Sequence, residues 1–188
     1  MSGNLEDIHL ALPDLLSDFE SIQNSNLTSL QASRAIAKCF RERLDLYYSI
    51  VTLIEGNLAT FDTIYGSPKA ELENDIQNYL AHVHQPKNIP DHVILSKVIS
   101  DKALRLATLP TKEDPTFSSA LLPSASSWVW FPIIKQGKVI SVIELGSETI
   151  MEHQNNWNDE EINKAFILVF ETLQLKINRV LENTREEE

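Results

Sequence analysis

The sequence predicts an α+β fold, an antiparallel sheet with helices packed on it. Three observations carry this. Strand-like runs flank a short Gly-containing turn at residues 46–65 and again at 128–145, and such pairs read as β-hairpins. Helical periodicity brackets them, with apolar residues at steps of three and four over 5–23 and 158–181. The 188 residues, 43% apolar, fit one domain with a sizeable core and argue against disorder.

Leu5, Ile8, Leu12, Leu15, Leu16, Phe19 and Ile22 form the first helical stripe, and Pro13 predicts a break or fresh start within it. Asn24-Ser25-Asn26 interrupts the chain. Thr28 and Gln31 make a capping box, which starts a second helix carried by Leu27, Leu30, Ile36 and Phe40. Asn26-Leu27-Thr28 also matches a glycosylation sequon, but with no secretory signal the helix start is the reading kept. Arg34, Lys38, Arg41 and Arg43 then face a single acid, Glu42, after 33 residues without Lys or Arg. Cations collect where unpaired carbonyls end a helix, so this one is expected to stop near Arg43.

Leu46–Ile54 and Leu58–Tyr65 are rich in β-branched and aromatic residues around Glu55-Gly56-Asn57, giving the first hairpin. Residues 69–82 return to helical spacing, and Pro86 and Pro90 break the chain. Val93, Ile94, Val98 and Ile99 predict a short helix, Asp101-Lys102 a turn, and 103–107 a short strand. The Pro-, Ser- and Thr-rich stretch 108–126 reads as a cover loop anchored by Phe117, Leu121 and Leu122. Trp128–Ile134 and Val139–Leu145 around Lys135-Gln136-Gly137-Lys138 give the clearest hairpin. Pro132 cannot donate to a ladder, so an unpaired position, bulge or edge is expected there. Asn158 and Glu161 cap a final helix through Leu181. Its segment Ala165–Phe170 is apolar all round and needs cover on more than one side. The sheet supplies one cover. A dimer with the terminal helices at its seam is expected to supply the other, the alternative being residues 5–43 of the same chain.

A net charge of −11 argues against nucleic acid and anionic membrane as partners, since both demand concentrated positive surface. One cysteine, Cys39, excludes an intrachain disulfide, a multi-cysteine zinc site and a two-cysteine redox couple. No basic signal-peptide region and no apolar run near 20 residues is present, so a soluble cytoplasmic protein is expected.

Three stretches carry a family resemblance. One is the entering helix with Tyr48-Ser49-Ile50-Val51-Thr52-Leu53-Ile54-Glu55-Gly56-Asn57-Leu58. Another is Val98 to Phe117, ending Glu113-Asp114-Pro115-Thr116-Phe117. The third is Ser127-Trp128-Val129-Trp130-Phe131-Pro132-Ile133 with Gly137-Lys138-Val139-Ile140-Ser141-Val142-Ile143-Glu144-Leu145. Together, from about Ser33 to Leu181, they resemble a GAF domain, a small-molecule-binding sensory module. The resemblance implies N- and C-terminal helices on one sheet face and a helix/loop cover on the other. It divides the chain into an N-terminal helical extension, 1–32, and a GAF-like domain, 33–188. Gly146-Ser147 stands where cyclic-nucleotide-binding members carry Asn-Lys, and Cys39 lies in the entering helix, away from a bilin attachment point. Ser141 replaces the family's usual Gly. Free methionine sulfoxide reductases share this fold but use several cysteines.

Candidate chemistry is sparse. His82 and His84 are two residues apart, with His92 downstream, and helical metal ligands need spacings of three or four, so surface histidines are the reading taken. Cys39 reads as a small buried residue despite nearby Lys38 and Arg41. Ser119, Ser124, Ser126 and Ser127 lack a nucleophile-elbow context. Trp128 and Trp130 share a strand face by period two, suited either to an aromatic pocket wall or to core packing on the terminal helices. The resemblance places such a pocket between the sheet and residues 91–122. Asp101, Arg105, Thr108, Glu144 and Asp62 are then its polar candidates, and an arginine would suit a carboxylate or phosphate ligand.

The function expected is a non-catalytic, dimeric, GAF-like sensory or regulatory module that binds a small molecule and signals through a protein partner. No cofactor is identified. The alternatives are a degenerate GAF fold serving as a ligand-free dimerisation adaptor, and a small enzyme on the same scaffold.

Overall fold

The strands are Tyr48–Glu55 (β1), Leu58–Gly66 (β2), Lys87–Asn88 (β3), Arg105–Ala107 (β4), Ser127–Lys135 (β5) and Lys138–Ser147 (β6). In the computed structural model, which describes residues 5–67, 74, 76, 77, 80, 86–107, 127–147 and 160–185, they form one antiparallel sheet ordered β3-β2-β1-β6-β5-β4. The helices are Leu5–Gln23 (α1), Ser29–Arg43 (α2), Val93–Asp101 (α3) and Glu160–Glu182 (α4), with a 3₁₀ turn at Ile89–Asp91. The α+β layering expected from the sequence is observed.

Both hairpins form where predicted. Gln136 and Gly137 sit consecutively at φ 50° and 74°. Two left-handed residues make the turn whose twist matches the flanking strands, and Gly takes the second without penalty. The two-residue β3 was not expected, because Pro86 and Pro90 leave it almost no length to pattern.

α2 begins as its sequence dictates. Thr28 Oγ1 accepts from the Gln31 N–H at 3.3 Å, and Gln31 Oε1 accepts from the Thr28 N–H at 3.0 Å. It ends at Arg43, after the basic cluster. Pro13 does not break α1, which runs unbroken through it. Pro13 is exposed, and the helix is held by its other side, where Leu15 and Phe19 are fully buried. Tertiary burial there outweighs the one hydrogen bond that proline removes.

One sheet face carries the larger core. Val51, Val129, Phe131, Ile133, Ile143 and Leu145 meet α1, α2 and α4. Four phenylalanines tie the layers together. Phe19 of α1 meets Phe40 of α2 edge-on at 5.5 Å, Phe40 stacks on Phe131 of β5 at 5.0 Å, and Phe131 meets Phe170 of α4 at 5.4 Å. Such pairs add about 0.5–1.5 kcal/mol each beyond burial. α1 packs on both α2 and α4, so residues 5–43 supply a second cover to α4 within the chain. Leu168 and Leu175 of α4 nonetheless remain 64% exposed.

Pro132 occupies a position that spares the ladder. It lies opposite Val142, beside a bulge between Ile133 and Ile134. Its carbonyl accepts from Gln174 Nε2 of α4 at 2.7 Å. A strand residue points its nitrogen and carbonyl to the same side, so the missing N–H faces the edge that β4 leaves open beyond Arg105. The cap expected at Asn158 and the cover loop 108–126 lie outside the described residues, as does most of the 69–82 helical stretch, of which Asn74, Ile76, Gln77 and Leu80 are helical.

Candidate functional site

The opposite sheet face decides the question left open by the tryptophans. Residues paired across neighbouring strands share a face, and two rows run across the sheet. One is Ala107–Trp128–Gly146–Tyr48, and the next is Arg105–Trp130–Glu144–Ile50. Trp128 and Trp130 therefore turn away from the terminal helices. With Tyr47, Tyr48, Ile50 and Val142 they pack towards α3, whose Val98 is buried against them. His92, at the start of α3, is also buried.

Within this face four side chains form one hydrogen-bonded network. Trp128 Nε1 donates to Tyr48 Oη at 2.8 Å, and Tyr48 Oη donates to Glu144 Oε1 at 2.7 Å. Trp130 Nε1 donates to Glu144 Oε2 at 3.0 Å. Both carboxylate oxygens thus accept from aromatic donors, and hydrogen bonds to an ionised group are the strong class. Trp128 and Trp130 are only 1% and 3% exposed, so each buried indole N–H needs the partner it has.

Gly146 makes this possible. It lies between Tyr48 and Trp128 in the same row, and a Cβ there would overlap the Tyr48 ring. Its φ is not left-handed, so the requirement is close approach of a ring rather than backbone conformation. Gly146 thus has a local steric reason.

The other candidates divide. Asp101, the last residue of α3, and Arg105, the first of β4, form an ion pair at the edge of the same face, each side chain 44% exposed. The Ser100 hydroxyl, and after it Arg105, hold the Asp101 carboxyl below the usual carboxylate range. Arg105 is thus matched by a carboxylate, which weakens the expectation that it attracts an anionic ligand. Asp62 does not join the group. It is the extra residue of a bulge, since Val51 pairs with Thr63 and Thr52 with Phe61. The bulge turns it to the helix side, where Asp62 accepts from Arg34 Nε at 2.8 Å and Nη2 at 2.5 Å with 7% of its side chain exposed. Thr108 lies outside the described residues.

Tyr48 was missed. Nothing in the β-rich run 46–54 distinguishes it from its neighbours, although a glycine inside a strand, as at 146, is a general signal of close approach. Cys39 lies on α2, in the helical layer, away from this face. Burial first, then Asp18 and Glu42, pushes its thiol up to about 11. Among the described residues no group of three or more His, Cys, Asp and Glu side chains is arranged to hold a metal, and no helix is long and apolar enough to cross a membrane.

No family model matches the sequence, and no curated protein matches it. Solved structures do. The A. aeolicus nlh2 GAF domain in an inactive state superposes with a TM-score of 0.65 at 13% identity, covering 93% of this chain and 98% of that one. The free methionine-R-sulfoxide reductase from Neisseria meningitidis, in complex with its substrate, gives 0.63 at 13% identity, covering 93% and 90%. The GAF domain of a phosphoenolpyruvate-protein phosphotransferase from Coxiella burnetii gives 0.60 at 11% identity, covering 92% of each chain. At these identities the likeness establishes a GAF-like fold, one that sensors and at least one enzyme share.

Proposed function

We propose that this GAF-like chain is a non-catalytic sensory or regulatory module that binds a small molecule on the tryptophan face and passes the signal to a protein partner. The observation that carries the reading is the Trp128–Tyr48–Glu144–Trp130 network. It holds a carboxylate among aromatic rings on the face away from the terminal helices. Ring faces and a carboxylate together favour positive charge. The expected ligand class is a small cationic molecule with hydrogen-bond donors, such as an organic amine, rather than the anion first suggested by Arg105. A ligand preferring one arrangement of α3 and the cover would bias the neighbouring layers by population shift.

The proposal includes a homodimer in the cytoplasm. Leu168 on α4 and Leu10 on α1 present exposed apolar surface for a second copy. The non-catalytic part rests on Cys39. A single cysteine with a raised pKa, remote from the network, is a poor redox nucleophile.

The test is native mass spectrometry of the purified chain, followed by a thermal-shift screen with small amines and with carboxylates. A retained compound, or an amine response lost in Glu144→Gln, supports the reading. No retained mass and no shift from any amine would remove it. The ligand-free adaptor would then be the better account, favoured by how completely the two indoles are buried and bonded.

A further inference from the structure

A cleft lies between the β4 edge and α4. The turn at 102–105 faces Glu171, Gln174, Leu175 and Asn178 of α4 across a cleft of about 640 Å³. That is the size range of small-ligand pockets.

The chemistry of the cleft is fixed by Pro132. Its carbonyl can only accept, so the atom of Gln174 that meets it at 2.7 Å must be Nε2. The same Nε2 lies 3.0 Å from Asn178, which must therefore present Oδ1. Both amide orientations follow from a single carbonyl. Two groups are left over. Gln174 Oε1 has no hydrogen-bond partner among the described residues, although Gln174 is only 8% exposed. Asn178 Nδ2 makes no hydrogen bond among them either. A buried acceptor without a partner carries a desolvation cost, so a donor brought to it is favoured.

We infer that this cleft is a binding site for a small neutral amide, such as a lactam or primary carboxamide. The ligand N–H donates to Gln174 Oε1, and its carbonyl accepts from Asn178 Nδ2. Its apolar body lies along Leu104 and Leu175. Gln174 Oε1 is covered, so a ligand reaches it only once a neighbouring side chain turns aside. Nothing here depends on the tryptophan face.

The test follows the side-chain amide resonances of Gln174 and Asn178 by NMR in the ¹⁵N-labelled full chain. The probe is 2-pyrrolidinone, and the control is cyclopentanone, the same ring with a carbonyl but no N–H. The lactam is expected to shift both resonances, with the ketone at least about tenfold weaker for want of a donor. Asn178→Asp keeps an acceptor for Gln174 Nε2 and replaces the Nδ2 donor with an anionic oxygen that repels the lactam carbonyl. It should weaken lactam binding about tenfold while leaving distant resonances in place. Equal responses to lactam and ketone, an unaffected Asn178→Asp variant, or no shift at millimolar lactam would overturn the proposal and leave a solvated amide pair only.

Discussion

At the scale of single residues, the tightest constraint is Gly146 beneath the Tyr48 ring. Gly146→Ala places a methyl group where the ring lies. Overpacking of this kind costs about 1–3 kcal/mol. The expected result is a lower urea midpoint with an unchanged slope. Combining it with Tyr48→Leu, which removes the ring, should give less than the sum of the two single losses, because contacting residues couple. Cys39 makes a second prediction. Its thiol is pushed from 9.0 to about 11, chiefly by burial. A raised thiol pKa means the protonated form persists to higher pH. At pH 8 the thiolate fraction is then about a hundredfold below that of the unfolded chain, since each pKa unit is a factor of ten. Iodoacetamide should label Cys39 slowly in native protein and rapidly in urea at that pH. Equal rates would show that the thiol is not shielded.

At the scale of elements, most boundaries were legible because their causes are local. A Thr-x-x-Gln box starts α2, a basic last turn ends it, and a Gly-containing turn closes each hairpin. Pro13 shows where local reasoning failed. A proline in an exposed helix breaks it, but α1 is held by Leu15 and Phe19 against two other helices, contacts that a local pattern does not contain. Asp62 shows the same limit in a strand. Strict alternation carries it along with its run, but a bulge shifts the phase by one residue and sends it to Arg34 on the other face. Trp128 and Trp130 could be placed on one face because they stand on alternate residues of a clear hairpin, while Glu144 was a candidate only through the pocket that the family resemblance implies. Tyr48 was not, because its partners are 80 and 96 residues away.

At the scale of the whole molecule, α1 is part of the core although the family resemblance begins only near Ser33. Leu15 and Phe19 are fully buried in the cluster that holds Phe40, Leu173 and Ile177. Burial of one such side chain stabilises by about 1.5–3 kcal/mol, so these two account for about 3–6 kcal/mol. Whole domains are stable by about 5–15 kcal/mol. A chain lacking residues 1–25 is therefore expected to lose cooperative thermal unfolding and to bind a hydrophobic dye. A sharp transition retained by that chain would show that α1 is an appendage rather than a structural layer.

The sequence by itself determined the α+β class, the two hairpins, the capping of α2 and the pairing of the two tryptophans on one face. These depend on spacings of a few residues, where sterics and local hydrogen bonds dominate. Only the tertiary structure decided which layer that face meets. A period of two fixes that two side chains agree, but not whether helices or cover lie above them. That choice is made by the register of four strands at once, which also sets Tyr48 over Gly146 and leaves the carboxylate of Glu144 between the Tyr48 phenol and the Trp130 indole.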